Sequence, residues 1–395
     1  MVSVVNLGVV GLGRGFMLTL AALRRHAGVR LAGAFDPRTE ALAQFSKEFG
    51  APGHASFEAL LDDSGLDAVY IATPHELHAR QAIAALRAGK HVLVEKPMAT
   101  SVVDCAAMVE VARETRRFLI VGPSHGFDEP VRRAARIVAS GRFGSVRLVT
   151  ALNFTDFMYR PRRPEELDSS RGGGVVYSQA AHQVDVVRRI VGQPVTSVCA
   201  TTGDWDSKRP SEGAYAALMR FAGGASASLT YSGYAHYDSD ELVGWITELG
   251  YPKDPSRYGE ARRALARLAE RGEQAAKRGR TYGAQGSTAP ASAPHHEHFG
   301  FVLVSCEGAD LKLLPTGIEI YGDSERDFVA VDPPLVPRAA VIDELVSAIQ
   351  GRSAPVHDGQ WGLETMACCA AILHSGRTGE TVDPHLMTKQ LEAIR

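Results

Sequence analysis

Charge of one sign is what this chain most clearly lacks. Across 395 residues, 43 Lys and Arg stand against 45 Asp and Glu, a net of −2. That balance gives no electrostatic case for binding nucleic acid or an anionic membrane surface. Cysteine is also sparse. Cys105, Cys199, Cys306, Cys368 and Cys369 are odd in number and form no C-x-x-C pair, which reads as reduced cytoplasmic thiols rather than a disulfide frame. No apolar run approaches the ~18 residues that a membrane helix requires. The chain starts directly on an apolar strand, without the basic region and cleavage site of a secretory leader. What is present is a globular profile, 45% hydrophobic and 22% charged, in a chain too long for one ordinary core. Two domains are therefore expected, 1–124 and 125–395.

The first domain reads as alternating strands and helices. Residues 4–10 form a short continuous apolar run, as expected of a strand buried on both faces. A glycine-rich turn, Gly11-Leu12-Gly13-Arg14-Gly15, follows, and then a helix from Phe16 to His26. Further strands are expected at Val29–Phe35, Ala68–Ala72, His91–Val94 and Phe118–Val121, with a helix from Glu76 to Ala88 that stops at Gly89. This alternation predicts a doubly wound parallel sheet of the Rossmann kind, in an α/β fold. Ligands of such sheets bind beyond the carboxyl ends of the strands. Gly13, Asp36, Thr73 and Lys96 all fall there, and Pro74 and His75 follow Thr73 as further cofactor-binding candidates.

The chemistry of those residues fits a dinucleotide. Glycines let the backbone turn tightly and approach a pyrophosphate, which the following helix N-terminus stabilises. The G-x-G-x-x-G fingerprint is imperfect, because Phe16 holds the third glycine position and Gly15 comes one residue early. Asp36 ends the second strand. It can accept both ribose hydroxyls and would repel a 2′-phosphate, favouring NAD, whereas Arg38 could blunt that preference and leave NADP open. Lys96, in Glu95-Lys96-Pro97, is a cation at the end of a strand, able to stabilise a developing alkoxide. His182 follows Gly172-Gly173-Gly174; histidine is the side-chain type that titrates nearest neutral pH, and it suits the proton of an alcohol being oxidised. Together they are the parts of a hydride-transfer enzyme. A buried structural histidine and an ordinary exposed lysine are the alternatives.

From about Ser145 longer strands are expected: Ser145–Thr155, Ala214–Phe221, Ala225–Tyr231, Phe299–Cys306 and Ala309–Leu314. Joined by turns such as Ala222-Gly223-Gly224, they predict an open, mostly antiparallel sheet in an α+β domain. Tyr159-Arg160-Pro161-Arg162-Arg163-Pro164 is a stiff cationic segment suited to carboxylates, or else a solvated basic loop. Residues 253–294 read as an insertion. Its helical part, 253–280, carries nine Lys and Arg against four Asp and Glu, and is expected to pack on the sheet edge. Gly283 to Pro294 reads as a mobile stretch. In His295-His296-Glu297-His298 only alternate histidines would face together, too few for zinc, so no metal is expected.

Ile71-Ala72-Thr73-Pro74-His75, His78, Ala88-Gly89-Lys90-His91-Val92, Glu95-Lys96-Pro97 and Gly172-Gly173-Gly174 through His182-Gln183-Val184-Asp185 resemble the Gfo/Idh/MocA oxidoreductases. Val341–Leu345 and Leu373–Arg377 are similar to that family's C-terminal helices, placed here within 338–395 and returning towards the first domain. The resemblance implies that Lys96 orients and polarises the substrate and that His182 accepts the proton. It also implies a homo-oligomer formed through the C-terminal sheet. The family often carries an aspartate four residues before this histidine. Here Ser178 stands there, next to Gln179, and Asp185 is an alternative support. Within the family, residues 151–168, 172–185 and 229–241 look most like phthalate 4,5-cis-dihydrodiol dehydrogenases of aromatic degradation. That implies a small-molecule diol bearing carboxylates, with a polyol, inositol or sugar dehydrogenase as one alternative. The others are redox-neutral use of tightly held NAD and a non-catalytic NAD-binding regulator.

Overall fold

The structure, a computed structural model, describes residues 4–268, 270–284 and 292–389. Two compact units emerge. The first comprises Met1–Pro123, Gln274–Ser292 and Val336–Met366, the second Ser124–Glu273, Ala293–Leu335 and Ala367–Arg395.

The first unit is built on β1 (Val5–Val10), β2 (Val29–Phe35), β3 (Ala68–Ile71), β4 (His91–Val94) and β5 (Leu119–Val121). All pair in parallel, in the order β2-β1-β3-β4-β5. The connections carry α1 (Arg14–Arg25), α2 (Thr39–Phe49), α3 (Phe57–Leu61), α4 (His75–Arg87) and α5 (Val102–Thr115). This is the expected doubly wound sheet. Its central strands are largely apolar because helices cover both faces, and Leu7, Val9, Tyr70, Ile71 and Leu93 are fully buried. Each such side chain contributes roughly 1.5–3 kcal/mol on burial. Ser101 caps α5 by accepting from the Asp104 N–H, and Gly89 takes a positive φ of 77° just past α4, where a side chain would be strained. The helix Ala339–Ile349 also packs in this unit, bringing Val346 against Gly28.

The second unit contains α6 (Glu129–Ala139), α7 (Ala181–Val191) and an eight-stranded sheet. Its strands are β6 (Val146–Phe154), β7 (Val195–Gly203), β8 (Ala214–Phe221), β9 (Ser226–Ser232), β10 (Phe301–Cys306), β11 (Ala309–Leu314), β12 (Gly317–Gly322) and β13 (Arg326–Ala330). Their order is β13-β12-β11-β10-β6-β9-β8-β7, antiparallel except for β6 against β9. One face is core. Along β8, Tyr215, Ala217, Met219 and Phe221 point in while Ala216, Leu218 and Arg220 point out, the period-two pattern of a half-covered sheet. The anticipated β8–β9 hairpin closes through Gly224 at φ 87°. Strands β7, β12 and β13 are additions to the expected set.

The insertion forms two short helices, Glu260–Ala266 and Glu270–Arg278. Most of the stretch expected to be mobile, residues 285–291, lies outside the described residues. No helix among the described residues is long and apolar enough to cross a membrane.

Candidate active site

In the first unit the dinucleotide chemistry collects at the carboxyl ends of the strands. Gly11 has φ 90°, and a Cβ there would come within 2.8 Å of the Ala72 carbonyl oxygen. Gly13 is the N-cap of α1 and places no side chain over it, so the first-turn N–H groups point outward and fit a pyrophosphate. Gly15 leaves room for Glu95, whose Oε1 would lie 2.9 Å from an added Cβ. Arg14, the first residue of α1, is exposed. Phe16, at the third glycine position, is fully buried against Phe45 and Tyr282. These residues fit NAD.

Asp36 is buried, and its Oδ2 accepts from the Leu12 N–H at 2.7 Å. Arg38 closes over it. Its Nε and Nη2 donate to the two carboxylate oxygens at 2.9 and 3.0 Å. Nη2 also reaches the Leu12 carbonyl, and Nη1 reaches Thr281 Oγ1 and the Tyr282 carbonyl at 2.6 and 3.0 Å. All five guanidinium N–H directions are thereby engaged. Tyr282 adds a backbone hydrogen bond to the Leu12 carbonyl and a side-chain one to Glu48. A segment 243 residues further along the chain thus secures Arg38 beside the glycine turn.

Pro74 is the N-cap of α4, and His75 opens that helix with its ring edge-on to His78. Thr73 Oγ1 donates to Gln81, and the His78 ring nitrogens face the carbonyls of Pro97 and Thr73 at 2.9 and 3.0 Å. His78 therefore ties together the two loops that carry Thr73 and Lys96. Lys96 is half-buried after β4, and its bond to Pro97 is cis. Beside it, burial raises the pKa of the Glu95 carboxyl, against the opposing effects of Arg338 and of the Tyr70 hydroxyl, which donates at 2.6 Å.

In the second unit, His182 lies in the first turn of α7 and is 5% exposed. A wider helical turn, Val176–Ala180, leads into α7 and presents Ser178 and the buried Gln179. Ser178 Oγ donates to the Gly174 carbonyl. Asp185 Oδ2 accepts from the Gly126 N–H at 2.8 Å, and His182 Nδ1 lies 3.2 Å from Ser124 Oγ.

The neighbours of His182 come from distant parts of the chain. His125 stands edge-on to it with ring centroids 4.6 Å apart, and Phe299 packs on both rings. His125 Nδ1 is 2.7 Å from Asp128, and its Nε2 is 3.7 Å from Glu248. The i, i+3 spacing of His125 and Asp128 was a visible signal. Glu248, 123 positions beyond His125, left none. His296 and His298, expected to face together, both engage backbone carbonyls. His296 Nε2 lies 2.7 Å from the Asp332 carbonyl, and His298 Nε2 lies 2.8 Å from that of Ile246.

The arginine segment lies in the same unit. Arg160 pairs with Asp156 at 3.1 Å, and Arg163 with Glu165 at 3.1 Å. Arg162 lies 3.5 Å from the centre of the Phe157 ring and donates to the Phe157 carbonyl. Tyr159 lies under the Arg262 guanidinium. An aromatic series runs from Phe157 through Tyr231 to Phe299, with centroids 6.3 and 6.1 Å apart, and ends at His182. The arginine and histidine ends therefore share one packed wall. Arg162 Nε is buried without a hydrogen-bond partner. Burial, reinforced by Arg160 and Arg209 and opposed by Glu166, pushes its pKa down to about 10.

The parallel sheet with its glycine turn is the fold of a nicotinamide-dependent oxidoreductase. Residues 5–123 match the oxidoreductase family described by its NAD-binding Rossmann fold, and residues 131–247 match the GFO/IDH/MocA C-terminal domain. A relative from Comamonas testosteroni, 1-carboxy-3-chloro-3,4-dihydroxycyclohexa-1,5-diene dehydrogenase, is 44% identical over 94% of this chain and 95% of its own. The chain belongs to the Gfo/Idh/MocA oxidoreductase family. A crystal structure from Bordetella bronchiseptica RB50, described as a dehydrogenase, superposes with a TM-score of 0.90 at 39% identity, covering 96% of this chain and 100% of that one. The WlbA dehydrogenase of Bordetella pertussis, in complex with NADH and UDP-GlcNAcA, shares the fold at 24% identity and a TM-score of 0.68, over 96% and 98% of the two chains.

Proposed function

We propose that this protein oxidises a cis-dihydrodiol of an aromatic carboxylate, of the phthalate 4,5-cis-dihydrodiol type, to the catechol. Bound NAD supplies the two-electron acceptor. His182 takes the hydroxyl proton as the carbinol C–H bond breaks and hydride leaves. Lys96 polarises the oxygen that becomes a carbonyl. The hydroxy-ketone so formed tautomerises to the catechol, and aromatisation makes the step effectively one-way.

Arg162 carries the substrate reading. Its guanidinium is desolvated, crowded by other arginines and short of one partner at Nε. An anion is the ligand that relieves such a group, and a planar carboxylate matches its fork. Arg160, Arg163 and Tyr159 line the same segment. A carboxylated ring diol is also what the Comamonas testosteroni relative's name describes.

The outer face of the sheet exposes Leu148 and Leu218 at 42% and 44%, which supports assembly of a homo-oligomer there. Balanced charge and an odd set of cysteines without a C-x-x-C pair support a cytoplasmic setting.

The test compares turnover of a ring cis-diol with its carboxylate against the same diol without it. The proposal predicts that removing the carboxylate raises KM by at least about tenfold, roughly 1.4 kcal/mol. Equal KM values would remove the anion from the recognition.

A further inference from the structure

We propose that His125, held as an imidazolium between Asp128 and Glu248, is a positioning residue that sets the proton affinity of His182. The inference rests on the reading of His182 as proton acceptor. Four observations carry it. The His125 and His182 rings are in edge contact, 4.6 Å between centroids. Both nitrogens of His125 face carboxylates, Asp128 at 2.7 Å and Glu248 at 3.7 Å. His125 is 3% exposed, so little solvent screens these charges. The turn that bears it is fastened to the His182 helix through Gly126 and Asp185.

The physical role follows from charge. The resemblance leads one to expect a carboxylate four residues before His182, and Ser178 stands there instead. A bare carboxylate stabilises imidazolium directly, whereas here the negative charge comes from across the turn with a cation in its midst. Burial alone would keep His125 neutral, but Asp128 and Glu248 outweigh it and push its pKa up to about 10. A fixed cation beside His182 disfavours a second proton there and keeps that ring neutral, ready to accept one. The flanking acids moderate this repulsion as His182 becomes charged during the reaction.

Other titratable groups among the described residues also face the pair. Glu297 offers an oxygen within 4.8 Å of the facing atoms of His125 and Asp128. His298 is kept neutral, its pKa lowered by burial, and lies 3.9 Å from Asp240, itself paired with Lys253. Arg160 faces Glu248 from the arginine segment, and Asp185 lies on α7.

Two substitutions should move His182 in opposite directions. His125→Gln removes the cation and leaves the acids, so the acid limb of the kcat/KM–pH profile should rise by at least about one unit. Glu248→Gln removes an acid and should lower it. Titrating the His182 ring by NMR in full-length, histidine-labelled protein, assigned through His182→Gln, reads the same shifts without any turnover. Opposite displacements in that titration support the proposal. Shifts of the same sign, or limbs and titrations that stay in place, overturn it. Full activity in His182→Gln would instead discard the proton-acceptor reading, and the NMR titration would still decide the coupling between the two rings.

Discussion

Asp185 accepts a 2.8 Å hydrogen bond from the backbone of Gly126, so the helix carrying His182 also fixes the turn carrying Ser124 and His125. Asp185 is 3% exposed. Asp185→Ala leaves a buried N–H unpaired and should cost about 1.5–3 kcal/mol, with kcat falling more than KM rises. Asp185→Asn retains an oxygen that can accept and should recover much of both. Melting curves and steady-state kinetics check this together. Equal damage from the two variants would show that the charge of Asp185 matters and that the hydrogen bond does not.

Arg162→Ala should raise KM for the carboxylated diol by about tenfold or more, at least ~1.4 kcal/mol, with kcat little changed. Arg162→Lys should not restore it, because an ammonium reproduces neither the planar fork nor the stacking on Phe157. A large loss of thermal stability with an unchanged KM would make Arg162 a structural residue only.

Tyr282 joins the glycine turn to a distant segment. Tyr282→Ala empties a site between Phe16 and Phe49 and should cost about 3 kcal/mol. It should also weaken NAD binding several-fold by loosening Arg38 from Asp36. Tyr282→Phe loses the hydroxyl's hydrogen bonding to Glu48 and Gln44, about 1 kcal/mol, and should bind NAD normally. Thermal denaturation and direct titration with NAD separate the two effects. An Ala variant with unaltered NAD affinity would free the cofactor site from any dependence on this segment.

His125 also makes stability depend on pH. Its pKa is raised from 6.5 to about 10 on folding, so its ion-pairing contribution is complete below the unfolded value. That contribution is lost as pH rises through the folded one. Urea midpoints should therefore fall between pH 6.5 and about 10, and fall less in His125→Gln. Parallel curves for the two proteins would show that His125 is neutral in the fold.

The sequence carried the parallel sheet, because β1, β3 and β4 are short apolar runs closed by turn residues. It carried the placement of the glycine turn and of Lys96 at strand ends for the same reason, since those signals are local. Strand β7 was hidden by the polar residues on its outer face, such as Thr196 and Thr201. Strand β13 is a largely exposed edge with no apolar stripe. The grip of Arg38 on Thr281 and of Glu248 on His125 spans 243 and 123 positions. No periodicity reports contacts of that range, and the polar contacts that define them exist only once the chain has folded.

The most direct measurement is NADH formation by the purified protein with NAD and phthalate 4,5-cis-dihydrodiol, beside myo-inositol and glucose. NADH that appears only with the dihydrodiol, and is lost in His182→Ala, is the predicted result. NADH from the polyols alone would contradict the aromatic diol and the role given to Arg162, while leaving the hydride-transfer chemistry in place.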